Sequence, residues 1–326
     1  MNAKDMVINI LPYGMAKKCL KNKQILPNGR EPEIYNVNGI KMKTYYLQDD
    51  LSKHNPYSLG AGRMPQYILW DRYNFGLKKH VYTHKNILKT CGKPNKKYAL
   101  FLESKAILPS DYEILDRNRA LAKEFDTIFT HSERLLNSLD NAKWIPGGHV
   151  WYGATGYEGK NSVDLYQYKT RNISMLSSNK QYCDLHKLRI QTVQRLEKKG
   201  LVDGYGTYPG TPNGMTNVAR TLQDYRYSIV FENNVEDYYF TEKILNCFAS
   251  MTVPIYLGAR KIGNYFNASG IIQLDLEHIE QIDTIVSKLG KEDYAERKEA
   301  IIENYQKVQE YLCFEDYLYN HYLRED

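Results

Sequence analysis

Short runs of apolar, often β-branched residues alternate along this chain with longer stretches whose apolar positions recur at helical spacing. The clearest instance is Ser228 to Gly258. Ser228-Ile229-Val230-Phe231 reads as a buried strand, and a polar loop follows. Thr241-Glu242-Lys243 then opens a segment with Ile244, Leu245, Cys247 and Phe248 on one helical face. Val253-Pro254-Ile255-Tyr256-Leu257 reads as a second strand, stopped by Gly258. Strand, helix and strand at this spacing predict one βαβ unit with a right-handed crossover. Asn233, Tyr239, Glu242 and Lys243 cluster where the strand ends and the helix starts, the place at which open α/β sheets bind nucleotides.

The same alternation extends to both sides. Met6 to Leu11 reads as a first strand, residues 20 to 60 as loop-heavy, and Tyr67-Ile68-Leu69-Trp70 as the start of a strand or a helix. Tyr98 to Leu102 is a buried-strand candidate that delivers Glu103-Ser104 at its C-terminal end. A helix from Tyr112 to Glu124 follows the start signal Pro109-Ser110-Asp111, and Phe125 to Thr130 reads as the next strand. Gly153 to Asp164, rich in Gly and polar residues, reads as a linker. Beyond it come a strand at Asn172 to Ser178, a helix at Asp184 to Lys199, a loop at Gly204 to Gly214, a strand at Ile271 to Leu274 and a helix at Glu277 to Leu289. An amphipathic helical tail runs from Asp293. Alternating strands and helices in both halves predict an α/β protein of two Rossmann-like domains, divided as 1–155, 156–310 and a C-terminal helix at 311–326.

Composition narrows the function classes. The 326 residues suffice for two domains with substantial cores, and 42% hydrophobic with 25% charged content is ordinary for a globular chain. The net charge of +6 comes from scattered Lys and Arg, which argues against nucleic acid and suits an anionic nucleotide or peripheral contact with acidic lipid. Tyrosine, at 29 copies, offers flat faces and hydroxyls that suit sugar surfaces as well as packing. The run at Met6 to Leu11 is too short and polar for a signal peptide or a spanning helix, and no other segment is long enough to span. The five cysteines lack a CxxC pair, so buried thiols in a cytoplasmic protein, at the inner membrane face if peripheral, are expected over disulfides. His80 and His84 stand at i and i+4, as in a helical zinc pair, but without a third ligand nearby; packed or surface histidines are the better reading.

The residue order around the central unit resembles the α-1,3-fucosyltransferases, glycosyltransferase family ten. Tyr225-Arg226-Tyr227, Phe231-Glu232-Asn233, Thr241-Glu242-Lys243 and Val253-Pro254 follow one another as in that family's signature. Phe240 departs from the family's usual Val or Ile. A fainter likeness reaches back to about residue 98, through Glu103-Ser104 and Ile145-Pro146-Gly147. The resemblance implies a GT-B fold: two Rossmann-like domains facing across a cleft, acceptor in the first half, donor in the second, and a last helix crossing back. It implies an inverting transfer of fucose from GDP-fucose to a glycan acceptor, with Glu103 as general base and Glu242 on the donor's ribose. Asn233 and Tyr239 would line the nucleoside and sugar pocket, with Lys243 and Arg189 on the phosphates.

Elementary chemistry agrees with those residue types. The leaving pyrophosphate needs cations or a helix N-terminus, the acceptor hydroxyl needs a base, and the sugar cation must be held between them. No DxD pair is present, so no metal is expected to be required; stimulation by Mn²⁺ or Mg²⁺ through product release is compatible with this. The spacer before Arg189 is longer than in the family, so His186 and Lys187 stand as neighbouring candidates, with a helix-surface ion pair as the plain alternative. Glu232 is open between a site role and a buried structural acid. Two other functions stay open. One keeps the fold and inversion with a different sugar nucleotide or acceptor. The other is an inactive glycan-binding protein, against which the joint presence of Glu103, Glu242 and Lys243 argues.

Overall fold

A computed structural model describes residues 34–37, 40–49, 63–72, 74, 76–154 and 156–325. The expected strand at Met6 to Leu11 lies outside them. The chain divides into two compact units. Unit one takes the described residues up to Gly147, except Arg63, together with the segment from Cys313 onward; unit two takes Arg63 and Gly148–Leu312. The glycine-rich stretch 153–164, read as a linker, thus falls inside unit two. There the Tyr152 hydroxyl donates to the Lys160 carbonyl, and Gly159 lies against the Tyr152 ring.

Among the described residues, unit one is built on a seven-stranded sheet. Its strands are β1 (Ile34–Val37), β2 (Ile40–Gln48), β3 (Ile68–Asp71), β4 (Lys79–Thr83), β5 (Lys96–Phe101), β6 (Thr127–Thr130) and β7 (Ala142–Trp144). They lie in the order β1-β2-β4-β5-β6-β7, with β3 also on β2. Every pairing is parallel except β1 with β2. β1 and β2 correct the loop-heavy reading of residues 20–60. Thr44, Tyr45, Tyr46 and Leu47 of β2 are all buried, so both faces are covered over that stretch and the polar–apolar alternation of Ile40 to Lys43 does not continue into it. The helix expected to follow the start signal Pro109-Ser110-Asp111 and run through Tyr112 to Glu124 begins at that signal but is broken. Helix α1 (Pro109–Arg117) starts at its proline, and a separate turn covers Arg119–Ala122. Between them Asn118 leaves helical geometry (φ −132°, ψ 70°) as its side-chain amide and its backbone N–H both donate to the Ile114 carbonyl.

Unit two carries a five-stranded, wholly parallel sheet in the order β12-β11-β10-β8-β9. The strands are β8 (Arg171–Ser177), β9 (Asp203–Gly206), β10 (Tyr225–Phe231), β11 (Val253–Leu257) and β12 (Ile272–Gln273). Helices α2 (Asp184–Lys198) and α3 (Glu242–Ala249) connect β8 to β9 and β10 to β11. β9 corrects the loop expected at Gly204 to Gly214, whose glycines mask the strand. Gly206 sits at φ 118° with its α-carbon against the Ser177 backbone, a close approach that a side chain would block. The helix expected at 277–289 is a 3₁₀ turn, Ile279–Gln281, followed by Ile282–Lys288.

The tail is segmented. Helix α4 (Lys298–Lys307) and a 3₁₀ turn end unit two, and α5 (Phe314–Leu318) continues into unit one. Phe314, Leu318 and Leu323 join Tyr45, Ile68, Trp70, Tyr98 and Phe129 in one of that unit's cores. The Trp70 indole N–H donates to Glu315 Oε1 at 2.8 Å, satisfying two buried polar groups at once.

Candidate active site

The junction of β10 and α3 is held by a buried carboxylate. Glu232, the first residue after β10, is fully buried, and its backbone N–H continues the ladder to the Leu257 carbonyl at 2.8 Å. Thr241 caps α3 and turns back onto it. The Thr241 N–H donates to Glu232 Oε1 (2.9 Å) and the Thr241 hydroxyl to Oε2 (2.7 Å). Lys243 Nζ then reaches Glu232 Oε2 at 3.1 Å, Thr241 Oγ1 at 2.9 Å and Glu242 Oε1 at 3.3 Å. One cation is thus wedged between two carboxylates in the first turn of a helix. Burial lowers the Lys243 pKa, but the charges of Glu232 and Glu242 outweigh it and hold the ammonium above its ordinary range. Burial raises Glu242, and the Lys243 charge with hydrogen bonds from Thr241 and Lys243 brings it below the usual carboxylate range.

Arg189 comes to the same place from α2. It is 7% exposed, and its Nη2 donates to the Phe231 carbonyl at 2.6 Å, at the end of β10. Its Nε is buried without a partner among the described residues. Burial lowers the guanidinium pKa, opposed by the charges of Glu232 and Glu242. The surface ion-pair alternative for Arg189 does not describe this position. His186 is near enough that burial and the charges of Arg189 and Lys243 bring it down to about 4, so it is neutral at pH 7. Lys187 instead faces outward to Asp184 at 3.2 Å. Asn233 and Tyr239 are 8% and 1% exposed, packed into the same junction. The Asn233 carbonyl lies 3.3 Å from Cys183 Sγ.

Two glycines set how tightly the junction closes. A β-carbon on Gly258 would meet the Tyr256 hydroxyl and lie 2.6 Å from Glu232 Cγ; one on Gly148 would lie 2.9 Å from the Glu242 backbone nitrogen. Sequence reasoning named Arg189, Asn233, Tyr239, Glu242 and Lys243, and unit two brings these together. It gave no role to Thr241, whose cap and hydroxyl join Glu232 to Lys243; a Thr directly before a helical Glu-Lys was the available signal.

Glu103 stands in unit one, just past the end of β5. Its Oε1 accepts from the Ser104 N–H at 2.8 Å, and its carbonyl accepts from the Tyr112 hydroxyl at 2.5 Å. The backbone N–H groups of Leu102 and Glu103 both donate to His84 Nε2, at 3.2 and 3.0 Å. His80 and His84 are not a helical pair: His80 lies on β4, bonded to Tyr82 and the Leu77 carbonyl, and both imidazoles are buried. Among the described residues no three His, Cys, Asp or Glu side chains are grouped to hold a metal ion.

Residues 166–298 match glycosyltransferase family 10 (fucosyltransferase) C-term. GDP-fucose protein O-fucosyltransferase 3 of Xenopus tropicalis is 28% identical over 40% of this chain and 31% of its own length, so the chain spans about a third of that curated relative. A crystal structure of α1,3-fucosyltransferase with GDP superposes with a TM-score of 0.52 at 16% identity, covering 87% of this chain and 90% of that one. Sucrose-phosphate synthase from Thermosynechococcus elongatus gives 0.51 at 9% identity, covering 78% and 74%. These likenesses make the fold a mixed α/β fold of the GT-B class. Residues 166–298 are thus similar to the C-terminal part of the glycosyltransferase family 10 fucosyltransferases.

Proposed function

We propose that this protein is an inverting fucosyltransferase that moves fucose from GDP-fucose to a hydroxyl of a glycan, forming an α-1,3 linkage. In this reading unit two takes the donor and unit one the acceptor. The Glu103 carboxylate accepts the acceptor hydroxyl's proton. The acceptor oxygen bonds to the sugar C1 as the bond from C1 to the β-phosphate oxygen breaks, and GDP leaves. Charge developing on the phosphates faces Lys243, in the first turn of α3, and the Arg189 guanidinium. Glu242 takes the ribose hydroxyls, and Asn233 and Tyr239 the nucleoside and sugar. The observation that carries the reading is the convergence of two buried-edge cations, Arg189 and Lys243, on the β10–α3 junction. A metal is not assigned a part in it.

A second acceptor class is favoured by the relative named as a protein O-fucosyltransferase: a hydroxyl on a polypeptide. No helix among the described residues is long and apolar enough to cross a membrane, and a cytoplasmic place at the inner membrane face is part of the proposal. The test is calorimetry with GDP and UDP, followed by transfer from GDP-fucose to N-acetyllactosamine, lactose, N-acetylglucosamine and a Ser/Thr peptide. Preferential GDP binding and an α-linked product support the reading. Equal or stronger binding of UDP, or a β-linked product, rejects it.

A further inference from the structure

We propose that His84, Tyr112 and His131 are positioning residues that aim the carboxylate of Glu103, an inference that rests on the reading of Glu103 as the general base. β4, β5 and β6 are neighbours in the parallel sheet of unit one, and each hands over to a polar residue at its C-terminal end: Thr83 to His84, Phe101 through Leu102 to Glu103, and Thr130 to His131. The ladder stops at the pairs Thr83–Leu100 and Phe101–Thr130. The peptide groups of Leu102 and Glu103 lie beyond it and need other partners.

Side chains supply them. His84 Nε2 accepts both N–H groups, so its proton sits on Nδ1, 3.5 Å from Asp111 Oδ2. The Tyr112 hydroxyl donates to the Glu103 carbonyl and lies 3.1 Å from His131 Nε2. His84, Tyr112 and His131 are each buried, which costs free energy that apolar side chains at the same positions would not incur. His84 also occupies the left-handed region, at φ 50°, which a non-glycine residue seldom adopts. Three desolvated polar groups and a strained backbone therefore converge on two peptide units, and the half-buried carboxylate is the group whose direction those units set.

The experiment uses the full chain with Tyr112→Phe, which removes one hydroxyl and keeps the ring. Turnover should fall about 10- to 100-fold while GDP affinity and donor KM stay at wild-type values. In the Glu103→Gln background the same substitution should cost nothing further, since there is no base left to aim. His131→Leu should behave like Tyr112→Phe, and His131→Gln, which sets an amide nitrogen near the place of Nε2, should recover most of the turnover. Wild-type turnover in Tyr112→Phe and His131→Leu, or an equal loss in both Glu103 backgrounds, overturns the positioning role while leaving Glu103 as base. Wild-type turnover in Glu103→Gln alone removes the base assignment and this inference with it.

Discussion

Lys243 and Glu232 meet at 3.1 Å with the Glu232 side chain fully buried and the Lys243 side chain 26% exposed. The ammonium is shared between a structural acid inside the unit and the edge where a donor phosphate is proposed to sit. Two functions thus rest on one side chain.

Lys243→Ala is accordingly expected to lose both. Leaving a buried carboxylate without its cation should cost about 1–3 kcal/mol of stability, read from urea unfolding. GDP binding and turnover should weaken by about 2–4 kcal/mol of transition-state stabilisation. In the double variant Glu232→Gln/Lys243→Ala stability should return in part and donor affinity should not. Recovery of both together would show that the lysine acts through the fold alone.

Arg189→Ala should weaken GDP binding more than Lys187→Ala, because Arg189 ends at the Phe231 carbonyl and Lys187 faces Asp184 on the surface. Calorimetry decides this; a larger effect at Lys187 would move the phosphate contact to the outer face of α2.

Glu103→Gln should reduce turnover by roughly 10²- to 10⁴-fold with GDP affinity unchanged. The amide keeps the carboxylate's shape but cannot take the acceptor's proton. The product's anomeric configuration, read by NMR, should be inverted relative to the donor.

Gly258→Ala should disturb the junction without removing any charged group. The added methyl would press on Glu232 Cγ and the Tyr256 hydroxyl, so a loss of about 1–3 kcal/mol in stability is expected, with weaker GDP binding. Thermal unfolding with and without GDP reads both effects, and wild-type values in both would mean the pocket yields freely.

Stability should also fall on mild acidification. Burial brings His131 down to about 4, and burial with the charges of His131 and Lys85 brings His84 to about 3, against an ordinary 6.5. The unfolded chain binds these protons near pH 6.5 and the folded chain does not. The contribution is therefore complete above 6.5 and is lost as pH falls through about 4 toward 3. Each group contributes roughly 1.4 kcal/mol per pH unit in that window. Urea unfolding at about pH 7 and about pH 5 should show a smaller pH difference in His84→Asn than in wild type; asparagine tolerates the left-handed backbone there.

The β10–α3–β11 unit was legible in the chain because its information is local. Buried runs, a Thr cap and a helical apolar stripe lie within one short stretch, and Glu242 and Lys243 share a helical turn simply by being adjacent. What lies far apart in sequence had to wait for packing. Arg189 reaches the Phe231 carbonyl from 42 positions away; its place on the face of α2 that carries Val193 and Leu196 follows from spacing, but its partner on β10 does not. β2 was hidden for a related reason: its stretch Thr44 to Leu47 is covered on both faces, so the alternation begun at Ile40 to Lys43 does not continue. The polar groups around Glu103 come from three strand ends and a helix, and strand order in a parallel sheet is set by crossover connections that no single segment encodes. The segment from Cys313 shows the same limit. Its amphipathic pattern determines that it buries a face, but only the apolar surface left by Ile68, Trp70 and Phe129 decides that this face is buried in unit one.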